Sequence, residues 1–273
     1  MEYKEIELYK LANPNGWDFY TGETINYRDN IGKVVSPPKP NRTLGMCSSG
    51  VIHASSKPND CFAGTEISCS AYLVRGTPVC GVEEKYGFVK LAILEEICDL
   101  DSLFGWRYFE AINPIDPLRS PKRKPMRGDI KLLEKWASVR ASGMPSVWDS
   151  VRASVWDSIR ASVWDLVMPS IWASVRASVW DSVKVSVGDS VWDSIKVSVW
   201  DSVGAYIGYI FVPSVKKWLY IKPAKKEAYP FQAAVDLWKR GFIASFDGKI
   251  WRLHSGEKTE IVYEMHSKIK EEL

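Results

Sequence analysis

Between Ser138 and Ala205 the polar and apolar positions repeat every four residues, in seventeen tetrads with Ser first in all but one and Val or Ile second in all but one. Third positions are mostly Trp, Arg or Lys, and fourth positions mostly Asp, Ala or Val. On an uninterrupted α-helix a four-residue step overshoots one turn by about 40°, so the apolar stripe circles the helix and no face stays buried. In extended chain four is a multiple of the strand period of two, and every valine points the same way. Pro169 also falls inside the repeat without disturbing its count, which a continuous helix tolerates poorly. The pattern therefore predicts a four-sided tetrapeptide β-solenoid over 138–205, each tetrad one side of the coil, with Val151, Val155, Ile159 and Val163 in its interior. The alternative is that the repeat forms long α-helices, each beginning at a proline.

The solenoid resembles pentapeptide-repeat β-helices with one residue fewer per side. It would turn Trp148, Trp156, Trp164, Trp172, Trp180, Trp192 and Trp200 outward. Tryptophans on an outer face beside Arg and Lys suit binding of a ligand, another protein or a second copy of the chain. With six Arg or Lys against seven Asp, the repeat does not track phosphates.

Before the repeat, extended runs are expected in "GVIHAS" (50–55), "ISCSAYLVRG" (67–76) and "YGFVKLAILEEI" (86–97), with a Ser-Lys-Pro start to a short helix after residue 55. These predict an α+β domain over 1–112. "NPIDPLRSPKRKPMR" (113–127) packs four prolines among five basic residues, which denies it helix and central strand, so 113–137 is expected to be a linker and lead-in. After the repeat, 206–273 is expected to be a small α+β module. Its parts are a helix in "PFQAAVDLWKRG", a hairpin turning at Asp247-Gly248, and a strand in "EIVYEM". His254 is expected to be a surface histidine.

The 273 residues carry 36 Lys or Arg against 33 Asp or Glu, a formal charge of +3. That balance gives no reason to expect nucleic acid or an anionic membrane as partner, and no apolar run approaches the length of a membrane span. The five cysteines, Cys47, Cys61, Cys69, Cys80 and Cys98, contain no C-x-x-C pair, and the histidines lie far apart in sequence. No metal and no cofactor is therefore expected.

"CSSGVIHA", "KLAILEEI" and the tail "PFQAAVDLWKRGFIASFDGKIWRLH", together with the Ser-Val-x-x tetrads, resemble proteins of bacteriophages and related mobile elements. The resemblance covers most of the chain. It implies a viral accessory protein, in the host cytoplasm or the virion, and transfers no activity. A second likeness, to ADP-ribosyltransferase-type folds, rests on Tyr20-Thr21-Gly22, the stretch His53 to Ser56 and the acidic pair that follows. It implies an alternative catalytic set of Tyr20, His53, Ser55, Glu95 and Glu96. The expectation is a non-enzymatic repeat protein that binds a protein partner or itself through its tryptophans. An enzyme in the N-terminal domain and a structural component of the virion are the alternatives.

Overall fold

The computed structural model describes residues 4–19, 21–43, 48–62, 67–141, 146–156, 161–175, 179–216, 218 and 229–267. The chain divides into two compact units, Met1–Tyr108 and Phe109–Leu273.

The first unit is built on seven antiparallel strands: β1 (Ile6–Ala12), β2 (Val34–Val35), β3 (Ile52–Ser55), β4 (Ser70–Gly76), β5 (Cys80–Val82), β6 (Lys85–Phe88) and β7 (Leu91–Ile97). Their spatial order is β2-β7-β4-β1-β3-β6-β5. Alternation sets the core face. In β1, Leu8 and Ala12 are buried beside Ile52 and Ala54 of β3, Tyr72 and Val74 of β4, and Phe88 of β6. Two short helices follow, α1 (Leu100–Phe104) and α2 (Tyr108–Ile112). The Asp99 carboxylate caps α1 by accepting from the Ser102 N–H at 3.1 Å. Phe104, Trp106 and Tyr108 form one aromatic cluster. It holds the 3-10 turn Pro58–Cys61 in place: Asn59 donates to the Phe104 carbonyl at 3.1 Å, and the Trp106 indole donates to Asn59 at 3.2 Å.

The second unit overturns the solenoid. Its described repeat residues are helical, in α4 (Val147–Trp156), α5 (Ala161–Val175), α6 (Asp181–Val187) and α7 (Asp189–Ile210), preceded by α3 (Arg127–Ala141). The helical alternative is therefore nearer the structure, although Pro169 sits inside α5 rather than at its start. Drift does not turn the apolar stripe outward because the run is cut into separate helices. Val147, Val151 and Val155 of α4 are all fully buried, and two 40° steps keep them within a sector of about 80°, no wider than one apolar face. The break between α6 and α7 falls at Gly188, whose φ of +74° suits only glycine, and it resets the phase. In the longer α7 the stripe of Ile195, Val199, Val203 and Ile207 sweeps farther, and it stays buried because α4, α6, β-structure and the last helix pack around it. A helix also pairs its backbone groups within itself, without waiting for a neighbouring coil.

Of the interior valines expected for a coil, Val151 and Val155 are buried in the helix as well. Ile159 and the side chain of Val163 lie outside the described residues. The tryptophans are not an outer column. Trp192 is 6% exposed. Trp148, Trp172, Trp180 and Trp200 are half-buried and pack on one another, with ring centroids 4.3 Å apart for Trp172 and Trp200 and 4.6 Å for Trp180 and Trp192. Trp156 alone among the described ones is well exposed, at 48%. The Trp164 side chain lies outside the described residues.

The serine stripe lets backbones approach. Ser198 accepts from the Phe246 N–H at 2.7 Å, and Ser202 donates to the Ala244 carbonyl at 3.1 Å. These bonds seat α7 on the strand β8 (Ile243–Phe246), part of a three-stranded sheet with β9 (Ile250–Ser255) and β10 (Glu260–His266) in the order β10-β9-β8. At Gly208 a Cβ would come within 2.8 Å of Val151, so only glycine allows α4 this close. The carboxylate of buried Asp201 on α7 pairs with Arg140 and accepts from the Val147 N–H at 3.2 Å, capping α4 from a neighbouring helix.

The proline-rich stretch docks within this unit. Pro117 and Leu118 are buried, and the indole of Trp238, on α8 (Gln232–Lys239), donates to the Ile115 carbonyl at 2.8 Å. Asp129, fully buried, ties Arg123 at 2.9 Å to Arg240 at 3.0 Å. Asp247 closes the β8–β9 turn by accepting from the Lys249 and Ile250 N–H groups at 2.9 and 2.7 Å.

His254 is not a surface residue. It is fully buried between Ser245, 2.8 Å from Nε2, and the Thr259 carbonyl, 3.3 Å from Nδ1. A carbonyl only accepts, so Nδ1 carries the proton and Nε2 accepts from Ser245. Burial pushes the imidazole pKa down to about 4.

Two measurements check this unit. Trp192→Ala should lower unfolding free energy by about 3 kcal/mol, as truncation of a buried aromatic does, whereas Trp156→Ala should stay within about 0.5 kcal/mol. An outward tryptophan column would make both nearly silent. The second concerns pH. A depressed histidine pKa stabilises above about 6.5, and that stability is lost as pH falls towards 4; from the shift it is worth roughly 3 kcal/mol. Burial raises the Asp201 carboxyl pKa to about 6 against the pull of Arg140, which contributes with the opposite sign in the same window. Wild type should therefore vary little between pH 6.5 and 4.5, and Asp201→Asn should expose a steady fall with acidification in urea unfolding.

Candidate functional site

Strand β1 pairs with β4 at seven consecutive register positions, from Ile6↔Gly76 to Ala12↔Ser70, but with β3 at one only, Tyr9↔Ser55. A cavity of about 510 Å³ borders β1 and β3, meeting Lys10 of the former and all four residues of the latter. It meets β3 along the whole strand, and its other walls include Ile25 and Tyr27 of the core cluster to which Ile52 and Ala54 belong. Its volume is that of a small-molecule site.

Three loops complete the walls. The excursion 13–27 is closed on itself by Asn13 N–H donating to the Trp17 carbonyl at 2.8 Å and Tyr27 N–H donating to that of Gly16 at 2.7 Å. It brings Asp18, Ile25 and Tyr27 to the cavity. A second loop, pinned where Asn41 N–H donates to the Gly50 carbonyl at 3.1 Å, supplies Pro37, Pro38, Lys39 and Val51. The 3-10 turn Pro58–Cys61 brings Asp60 and Cys61, followed by Phe62.

The polar end is one buried ion pair. The Lys10 ammonium lies 3.1 Å from the Asp18 carboxylate, with the two side chains 9% and 15% exposed. The Tyr27 hydroxyl donates to the same carboxylate at 3.2 Å, and the ammonium stands 5.2 Å from the Tyr27 ring centre. Burial alone would lower the Lys10 pKa, but Tyr27 and Asp18 hold it above the ordinary lysine range. The Tyr27 hydroxyl is pushed up to about 12, chiefly by burial. Lys10 is thus a fixed cation and Tyr27 a fixed donor at neutral pH.

Groups that could act as nucleophiles are held inactive. Burial pushes the Cys61 thiol up to about 12, and it donates to the Tyr9 carbonyl across 3.2 Å, so the reactive thiolate is absent at neutral pH. The Ser55 hydroxyl donates to the Glu84 carbonyl at 2.8 Å and accepts from the Lys57 N–H at 3.1 Å, which holds the strand-to-turn corner. His53 is half-buried, and its pKa is lowered by burial and by the Lys10 ammonium, so it is neutral at pH 7.

The alternative catalytic set does not assemble. His53 and Ser55 border the cavity, but Glu95 and Glu96 lie on β7, three strand steps from β3 across β1 and β4, or about 14 Å. Glu96 is taken up by Arg28, with Nε and Nη2 at 3.0 and 2.6 Å from its oxygens, and Glu95 is exposed. Tyr20 lies outside the described residues. Lys10, Asp18 and Tyr27, which form the polar end, were not expected from the sequence. The signal that could have found them is Lys10 itself, a charge on the otherwise apolar Ile6, Leu8, Lys10, Ala12 face of β1.

Among the described residues no group of three or more His, Cys, Asp or Glu could hold a metal ion, and no helix is long and apolar enough to cross a membrane. Comparison with protein-family models, curated proteins and solved structures finds no match to this chain.

Asp18→Asn should destabilise the protein by about 3 kcal/mol, because it leaves the Lys10 ammonium buried without its counter-charge. Adding Lys10→Met should recover most of that loss. Equal and additive effects in denaturant unfolding would mean that the pair is not coupled.

Proposed function

We propose that this chain is a non-enzymatic binding protein whose N-terminal unit holds a small organic molecule in the gap between β1 and β3. The observation that carries the reading is the cavity itself. It has the volume of a ligand site, walls of Ile25, Val51, Phe62 and prolines, and one end where charge is already neutralised by Lys10 and Asp18. Such a site grips an apolar body and offers hydrogen bonds at fixed points. Against an ADP-ribosyltransferase-like enzyme stand the separation of Glu95 and Glu96 from His53 and the commitment of Ser55 to its own backbone corner. The resemblance of the sequence to phage and mobile-element proteins supports an accessory role, in the host cytoplasm or the virion, with the ligand as the thing sensed or carried. The packing of Trp148, Trp172, Trp180 and Trp200 on one another argues against tryptophans as the binding face.

The test is titration with the neutral fluorophore N-phenyl-1-naphthylamine. Saturable enhancement at one probe per chain is expected. It should be lost in Ala54→Trp, which fills the cavity wall, and weakened in Ser48→Phe, a milder loop substitution at the same space. Trp156→Ala should leave it unchanged. No enhancement, or enhancement indifferent to both cavity variants, contradicts the reading.

A further inference from the structure

The charges that border the cavity are not balanced. Lys10, Lys39 and Lys85 face Asp18 and Asp60. Lys10 and Asp18 neutralise each other in the interior. Glu84, the residue before Lys85, is claimed by the Lys57 ammonium at 3.1 Å and by the Ser56 hydroxyl. Asp60 is 7% exposed within its 3-10 turn, whereas Lys39 and Lys85 are both exposed. Lys85 stands directly opposite Ser55 in the β3–β6 ladder. Lys85 is also one of the residues that line the cavity. Ser48, from the loop wall, adds a buried hydroxyl oxygen without a hydrogen-bond partner. Apart from the Lys10–Asp18 pair and the buried Asp60 the lining is largely apolar, and the exposed charges that border it are Lys39 and Lys85.

We infer that the ligand is an amphipathic organic anion, an aromatic or aliphatic body held between β1 and β3 with one carboxylate or phosphate group turned to Lys39 and Lys85. The inference rests on the proposed cavity function and goes on to name the ligand's chemistry. An anion at the mouth keeps part of its hydration, so it gains from two ammoniums without full desolvation. The Lys10 charge adds little to such a ligand, because Asp18 already answers it. A neutral or cationic ligand of the same shape would leave both rim lysines unanswered.

The experiment compares two probes of similar shape on the intact chain, anionic 1-anilinonaphthalene-8-sulfonate and neutral N-phenyl-1-naphthylamine. The sulfonate is expected to bind more tightly and to weaken with added salt. In the doubly substituted Lys39→Gln, Lys85→Gln protein its affinity should fall roughly tenfold, while the neutral probe changes less than about twofold. Both lysines are exposed, so the variant folds. Octanoate and octyl phosphate, tested as separate competitors, distinguish a carboxylate from a phosphate head, and either should displace the neutral probe at lower concentration than octanol. Equal affinity for the two probes, or sulfonate binding indifferent to the lysine substitutions, overturns the anion and leaves the cavity standing. Binding of neither probe overturns both.

Discussion

A lysine in the middle of a central strand must keep its charge answered, and the N-terminal unit is arranged around that requirement at Lys10. Its neighbours on the same face, Leu8 and Ala12, are packed into the core, so the ammonium has no route to water along the strand. An unpaired ammonium at that depth would cost several kcal/mol. Asp18 reaches it only because the loop 13–27 folds back over the sheet, and Tyr27, at the far end of that loop, fixes the carboxylate. The loop, the ion pair and β3 border one cavity.

The second unit depends on a different constraint, the mismatch between a four-residue repeat and a 3.6-residue helix. A stripe that drifts by about 40° per tetrad cannot serve one flat interface for long. The chain answers with short helices and with one long helix, α7, that is surrounded. In both, second-position valines such as Val151, Val155, Val183, Val199 and Val203 remain inside, and the serines beside them are small enough for α7 to sit on β8. With the helices packed, five of the third-position residues lie against one another, in the cluster of Trp148, Trp172, Trp180, Trp192 and Trp200.

Signals confined to a few residues were legible in the sequence. Asp247-Gly248 marks the β8–β9 turn because the Asp carboxylate closes the turn on its own backbone, and the apolar face of "PFQAAVDLWKRG" marks α8. The repeat is less legible for a specific reason: drift disfavours a helix only over an unbroken run, and the breaks that remove the objection are set by packing. His254 shows the same limit, since a histidine at a strand end gives no local hint of the Ser245 and Thr259 groups that bury it. The cavity was the least legible feature. It depends on β1 finding β4 along its whole length and β3 at one residue, a choice made between positions 46 to 70 residues apart.

The central claim is that this gap, and not the tryptophan-bearing helices, is where the protein meets a ligand. Amide hydrogen exchange with and without saturating N-phenyl-1-naphthylamine tests it most directly, because slowed exchange marks the segments a ligand holds closed. Protection should rise in Ile52–Ser55, in Pro58–Cys61 and in the loop carrying Asp18, with α4 and α7 unchanged. Protection that rises in α4 to α7 and leaves β3 unaltered would contradict the account.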